Sequence, residues 1–417
     1  MVFFPQGIYQ TRETIYVPPG SRIVGEVFST ITGLGSHFTD ASHPQSIVRL
    51  GNPGEKGVAQ LSDMLISVGD VLPGAVLLEI NMAAPQPGDV GLWNTVLRVG
   101  GSNDTLVNTK CSAPDPGACK AAFALLHITN TGSAYLEGVW GWVADHGLDP
   151  HLNPSTNPQN IAVGRGALIE STASVWLVGT SFEHCVMYQY SLHNASNVYV
   201  ALQQTESPYW QGVGSPYSAP APWDVNPAYG DPTFSHCAAG DAQCRRAWAQ
   251  YMLSSKNVTI HGSALWVFFN SMRDGLLGDA NCAATGEVCQ RNLVGIDDAS
   301  STFWYGLATK AVDNIVWDRG ASEEGGRGGN VTLTTQRGNK GAWGGVVAAY
   351  LRDVGERKKK KMEGDNGGGS GDEGRESDAK GSPDGDDGQD EGKADAGCLL
   401  APGWSLLIAG LVFWFVI

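Results

Sequence analysis

Basic charge is what this 417-residue sequence has least of for its size: 27 Lys and Arg stand against 42 Asp and Glu, a formal net charge of −15. A nucleic-acid partner needs a basic face, so that class is excluded. Cysteine patterns that hold metals are also missing. The eight cysteines form no CxxC and no CxxC/HxxxH set, which counts against zinc, and no cofactor is expected. Amphipathic helical periodicity is scarce, Arg245–Leu253 being the clearest helical stretch, so a mainly helical fold is disfavoured. The opening residues, Met-Val-Phe-Phe-Pro-Gln-Gly, lack a basic segment followed by an apolar one, and no signal peptide is read there.

Six cysteines fall into three close pairs, Cys111/Cys119, Cys237/Cys244 and Cys282/Cys289, leaving Cys185 and Cys398. Gly, Ala, Pro and Asp between the members of each pair let the chain turn, which suits short disulfide-closed loops in an oxidising compartment. Four N-x-Ser/Thr sequons, at Asn103, Asn194, Asn257 and Asn330, are expected glycosylation sites and point the same way. Set against the missing signal peptide, these features predict that the sequence is truncated at its start.

The stretch from Ala173 to Gln211 organises the rest. Two strand-like runs, Val175–Val178 and Val198–Leu202, lead to Glu183 and Glu206 with equal offsets (198 − 175 = 23 and 206 − 183 = 23). This spacing is that of one coil of a repeating β structure. Similar runs begin at Tyr135, Val258 and Phe303, one or two coils of about 20–25 residues apart once inserted loops are allowed for. Short strands such as Thr14–Val17, Ile47–Leu50 and Ala75–Ile80 precede them. The fold expected is all-β, a parallel β-helix whose coils stack about 4.8 Å apart over continuous apolar ladders. A sandwich or propeller would need hairpin spacing or blade signatures that are not present. The Pro- and aromatic-rich insertion Pro208–Trp248 is expected to line one face of the coil stack, or to pack its own aromatics at the surface.

The β-helix is expected over residues 1–317, followed by a Gly-rich and basic end over 318–361. Within that end, Arg319–Gly345 reads as a frayed last coil and Ala348–Lys361 as a short helix. Met362–Gly397 holds 12 acidic and 3 basic residues and is too poor in apolar side chains to fold. Residues 398–417 are apolar and uncharged. That ending reads as a GPI-attachment signal, with a tail-anchored membrane helix as the other reading. The expected location is the cell surface or cell wall.

Carboxylates on adjacent coils raise the pKa of at least one of them, which is what a glycosidase general acid needs. Asp145 and Asp149 lie nearby on an earlier coil. Tyr188, Gln189, Gln203, Gln204, Tyr209 and Trp210 surround the pair in sequence, so Glu206, Glu183 and Asp145 are the candidate catalytic residues. Asp149, Tyr188, Gln204, Tyr209 and Trp210 are candidate substrate contacts. Trp140, Trp142 and Trp176 are further aromatic candidates. Each acid taken alone is equally well a solvated surface carboxylate; the set points to a carbohydrate groove. A polyuronate lyase would need a Ca²⁺ cluster and basic residues in this segment, and it is poor in both Arg and Lys.

The segments YLEGVWGWVADHGLD, GRGALIEST, VWLVGTSFEHCVMYQYSLHNASNV and QQTESPYWQ, within Ala134–Gln211, resemble fungal glycoside hydrolase family 55. VFFPQGIYQTRETIYVPPGSRIVGE resembles the start of that family's second β-helix, and the resemblance runs over Val2–Val316. It implies a right-handed, pectate-lyase-like β-helix and an inverting exo-β-1,3-glucanase acting on laminarin-type glucan. It also implies that Glu206, in the QTE-x-PY-like run, is the general acid, with Glu183 in the SEH-like position and Asp145 and Asp149 as the ADH-x-LD acids. TESPYW departs from the family's TETPYY-like run at Ser207 and Trp210. Only the second of the family's two β-helices is matched, so residues that hold the attacking water are expected on a missing N-terminal β-helix. A non-catalytic glucan-binding β-helix of the cell wall is the alternative function.

Overall fold

The computed structural model describes residues 1–102, 105–111, 116–148, 159–212, 217–267, 288–318, 331–334 and 344–352. The chain alternates between two sheets, one of thirteen strands and one of ten. Ser21–Gly33 lies in the first, Gln45–Leu50 in the second, Ala59–Val68 in the first and Leu72–Ile80 in the second, and the alternation continues to Val312–Asp318. Successive coils pair in parallel. This is the parallel β-helix that the coil spacing predicts.

Apolar residues recurring once per coil explain why the coils stack. Ile23, Leu61, Leu92, Leu136, Leu177, Val200, Ile260 and Trp304 are register partners through the first sheet, and all are buried. Leu50, Ile80, Ile128, Ile169, Leu192, Met252 and Ile296 form the matching ladder in the second. Burying a Val, Leu or Ile contributes about 1.5–3 kcal/mol. No coil can bury its inner face without the next.

The strands of the first sheet carry a stacked corner. Gly179, Leu202, Gly262 and Gly306 occupy equivalent positions and all have left-handed backbone (φ 59°, 65°, 76° and 69°). Three of the four are glycine, which takes this conformation without a Cβ penalty. The corner residue shifts the alternation of the strand by one. Trp176 points outward before the corner, and Ser181 and Glu183 point outward after it.

Three expectations change. Arg245–Leu253 is not helical: Trp248–Leu253 is a strand between Tyr188–His193 and Gln290–Asp297. Its residues are apolar on both faces because the insertion covers the outer one, and that mimics helical periodicity. Ala348–Arg352 is also strand, part of Gly344–Arg352, which pairs antiparallel with Ser300–Lys310. Val331–Thr334 likewise pairs antiparallel with Val312–Asp318. Strands of reversed direction therefore cap the last coil in both sheets, and Arg352 of Gly344–Arg352 pairs with Asp318 of Val312–Asp318 at 2.6 Å. Residues 353–361, the acidic segment and the apolar tail lie outside the described residues, and no described helix is long and apolar enough to cross a membrane.

The insertion after Glu206 packs on the outside of the second sheet. Trp210 donates its indole N–H to the Ile161 carbonyl and Trp223 to that of Ala162. Phe123, Met187, Tyr188, Trp223, Phe234 and Trp248 belong to one buried cluster there. Cys111–Cys119 and Cys237–Cys244 are disulfides. Cys289 is also disulfide-bonded, while Cys282 lies outside the described residues.

Candidate active site

The second limbs of three strands build the site, Trp140–Val143, Val175–Glu183 and Ser196–Glu206. In register across them lie Trp140, Ser181 and Gln204 in one outward row and Trp142, Glu183 and Glu206 in the next. The 23-residue period thus places Glu183 directly beside Glu206, one coil apart. Gly141 leaves room for the Phe182 ring, which a Cβ there would strike. The Trp140 and Trp142 indoles stack at 5.2 Å and 22°. Trp140, 36% exposed, donates from Nε1 to Glu183 Oε2 at 3.2 Å.

His184 turns out of the strand with φ 65° and sits among the acids. Its Nδ1 is 2.8 Å from the Val143 carbonyl, an obligate acceptor, so Nδ1 carries a proton. Nε2 then faces Glu206 Oε2 at 3.3 Å, and Asp145 lies 3.9 Å from Nδ1. The Tyr209 hydroxyl donates to the same Glu206 oxygen at 2.8 Å. Asp145 is paired with His146 Nδ1 at 2.8 Å. The Ser181 hydroxyl lies 2.8 Å from Glu183 Oε1 and also meets Gln204 Oε1, while Gln204 Nε2 reaches Glu206 Oε1 at 3.5 Å.

These contacts sort the protons. Burial, followed by the neighbouring charge of Glu206, raises Glu183 to about 7. A protonated Glu183 can donate to Ser181, whose own proton then serves Gln204. Burial opposes charge on His184, yet the hydrogen bond to Glu206 and the charges of Asp145, Glu206 and Glu183 raise it to about 9. Burial pushes the Asp145 carboxyl up, but His146 and His184 outweigh it and the net shift is downward. Both raised groups bind protons more tightly folded than unfolded. Their stabilising contributions are therefore complete below their ordinary values of 4.5 and 6.5 and are lost as pH rises through about 7 and 9.

We expect Glu183 to titrate near 7 by ¹³C NMR of its carboxyl. In Glu206→Gln the like charge is gone, so this value drops while burial keeps it above the ordinary range. An unchanged titration in the variant would contradict the coupling.

Glu183, Glu206, Asp145, Gln204 and Tyr209 come together as the sequence suggests. Tyr188 and Trp210 do not: Tyr188 is buried beneath the insertion and Trp210, part of it, is buried against the Ile161 carbonyl, 0% and 3% exposed, and neither can stack on a sugar. Gln189 and Gln203 are buried too; Gln189 closes the turn at Cys185. Asp149 lies outside the described residues. Sequence reasoning passed over His184, Ser181 and Arg246. His184 follows Glu183 directly, and Ser181 shares its outward parity, so both had a local signal. Arg246 had none. It is fully buried and clamps the turn after Glu206 through Ser207 Oγ (2.8 Å) and the carbonyls of Val267 and Cys289. Burial lowers it to about 10.

Among the described residues one His/Cys group, His236 with Cys237 and Cys244, is close enough for a metal, but its sulfurs are joined in a disulfide. Of the expected glycosylation sites, Asn194 and Asn257 are exposed. Asn257 Nδ2 donates to Asn197 Oδ1 at 2.6 Å across coils. Asn103 and Asn330 lie outside the described residues.

No family model matches the chain. It is 37% identical over 358 residues to a probable glucan endo-1,3-beta-glucosidase of Arthroderma benhamiae, covering 84% of this chain and 38% of that protein. It is 35% identical to the glucan endo-1,3-beta-glucosidase BGN13.1 of Trichoderma harzianum, covering 84% and 44%. To a glucan 1,3-beta-glucosidase of Cochliobolus carbonum it is 35% identical, covering 76% and 39%. The chain thus spans about two-fifths of the length of these curated relatives. Over most of its length the chain is thus similar to part of these fungal glucan 1,3-β-glucosidases, and it carries its paired carboxylates on a parallel β-helix.

Proposed function

We propose that the chain is the acid-bearing half of a glycoside hydrolase that acts on the ends of β-1,3-glucan chains with inversion. One observation carries this: two carboxylates in register on adjacent coils, one of them held neutral to about pH 7, beside an exposed tryptophan. Glu206 passes the proton to the glycosidic oxygen, having first received it from protonated His184 Nε2 at 3.3 Å or from neutral Glu183 beside it. Its hydrogen-bond neighbours Tyr209 and His184 orient the carboxyl, and His184 Nε2 lies where it can return the proton. Glu183 stays neutral beside it, able to donate to a sugar hydroxyl, and Trp140 offers its face to the ring. Inversion requires a water on the far side of the sugar, held by a base whose carboxyl lies about 6.5–9.5 Å from that of the acid, and we assign that base to residues beyond this chain.

The chain alone is therefore expected to release glucose from laminarin weakly or not at all. Robust release that depends on Glu206 would overturn the assignment of the base to residues outside it. Product analysis decides between end-wise and internal cleavage, and NMR of the first-formed anomer decides between inversion and retention. A non-catalytic glucan-binding role is the second reading, favoured by the outward-facing aromatic side chains Tyr135, Trp176 and Tyr199 in register on successive coils. For location we propose the cell surface with a GPI anchor; the disulfides Cys111–Cys119 and Cys237–Cys244 support an oxidising compartment.

A further inference from the structure

The first limbs of the same strands carry a second feature. Trp93, Tyr135, Trp176, Tyr199, His261 and Tyr305 belong to six successive coils of the first sheet, and all face outward. Tyr135, Trp176 and Tyr199 are direct register partners. His261 and Tyr305, in register with Ala201 two residues beyond Tyr199, carry the strip on, their rings stacked at 5.0 Å and 13°, with Tyr199 5.8 Å from His261. Trp93 starts two residues out of line but swings back over Gly91, the register partner of Tyr135, where a Cβ would run into its indole. Its ring centre is 5.9 Å from that of Tyr135. Tyr199 and Tyr305 are each 38% exposed, and the other four are half-buried or exposed. At about 4.8 Å per coil, six rings form a strip roughly 24 Å long.

We propose that this strip is a second binding surface, distinct from the carboxylate site, for a neutral, extended β-glucan. Aromatic rings with polar edges present an apolar face and a hydrogen-bonding rim, which complements a pyranose with its C–H face and equatorial hydroxyls. The two outward rows that carry it, from Gly91 and Trp93 to Phe303 and Tyr305, contain no arginine or lysine, as a polyanion would require, and only Val178 and Ala201 as aliphatic side chains. Glu137 beside it accepts the Tyr135 hydroxyl at 2.8 Å. The strip is also continuous with the site: Trp176 and Glu183 lie on one strand and Tyr199 and Glu206 on the next, separated by the stacked corner. A polymer lying on the strip is thereby held beside the limb that carries the acids. The proposal rests on the reading that the chain engages β-1,3-glucan.

The test uses the full chain carrying Glu206→Gln, so that nothing is turned over. Binding is measured by depletion onto insoluble β-1,3-glucan, with cellulose and chitin alongside. Tyr199→Ala with Tyr305→Ala, and separately Gly91→Val, which displaces Trp93, are each expected to weaken β-1,3-glucan binding by about tenfold or more. Circular dichroism is expected to be unchanged, because these side chains lie outside the core. With Glu206 intact, the same variants are expected to leave hydrolysis of a short soluble oligosaccharide unaltered. Binding equal to the parent's, a preference for cellulose or chitin, or loss of an oligomer in sedimentation velocity would overturn the proposal, the last by making the strip a contact between copies. Strip-dependent binding together with hydrolysis that Glu206→Gln leaves unchanged keeps the strip standing and overturns the acid assignment. Glu206-dependent hydrolysis without strip-dependent binding does the reverse.

Discussion

Glu206→Gln is expected to lower whatever laminarin hydrolysis the chain supports by about 10²–10⁴-fold, the usual contribution of a positioned general acid. The substitution keeps the shape of the side chain and an oxygen that can accept from Tyr209, which now sits 2.8 Å from Glu206 Oε2. What it removes is the transferable proton. An alkoxide leaving group cannot depart at neutral pH without one, whereas an aryl glucoside with an acidic phenol can. The loss is therefore expected on laminarin and to be much smaller on the aryl substrate, measured as kcat/KM for both. Equal losses on the two substrates would mean that the substitution damages binding or folding. Full activity on laminarin would transfer the acid role to Glu183, the neighbour that stays protonated to about pH 7.

Asp231→Ala is expected to destabilise the protein by about 3–5 kcal/mol, as loss of one partner from a buried ion pair does. Asp231 lies in the insertion and Arg165 on the strand Ala162–Ile169. Their side chains are 0% and 1% exposed, and Arg165 Nε donates to Asp231 Oδ1 at 2.8 Å while Nη2 meets Oδ2. Asp231 Oδ2 also accepts the Asn226 amide at 2.8 Å. The guanidinium rests 3.9 Å above the Phe123 ring, so an unpaired Arg165 would be a bare cation in an apolar wall. Removing the carboxylate should release the insertion first, because each coil of the helix is also held by its neighbours. Limited proteolysis within residues 217–247, together with a lowered urea midpoint, is the expected result. Replacing both residues with apolar ones, Arg165→Met with Asp231→Leu, is expected to recover much of the loss. Unchanged proteolysis and midpoint in Asp231→Ala would show that the insertion is anchored by its aromatics alone.

Those aromatics show where sequence reasoning was misled. Tyr188 and Trp210 flank the acids in the chain, and proximity in sequence suggested a sugar groove. Tyr188 instead begins a strand of the other sheet, and Trp210 turns back to bond the Ile161 carbonyl. Trp248–Leu253 read as a helix for a related reason. A strand covered on both faces loses its two-residue alternation, so its pattern no longer distinguishes strand from helix. Ala348–Arg352 reads as the start of a short helix because the pairing of Gly344–Arg352 depends on Ser300–Lys310, more than thirty residues earlier, and no local pattern records that.

The coil period and the pairing of Glu183 with Glu206 followed from the sequence alone. Parallel strands stacked in register turn equal sequence offsets into spatial neighbours, so a 23-residue spacing was enough. The two local disulfides were legible for a similar reason, since their partners lie 8 and 7 residues apart. Only the tertiary structure decided which side chains face the acids. The left-handed corner at Gly179 and Leu202 resets inside and outside within a strand. The insertion buries one set of aromatics, while the other set stays exposed along the sheet. His184 and Arg246 acquire their roles from carbonyls and carboxylates brought to them by other coils, which no spacing within their own segments could specify.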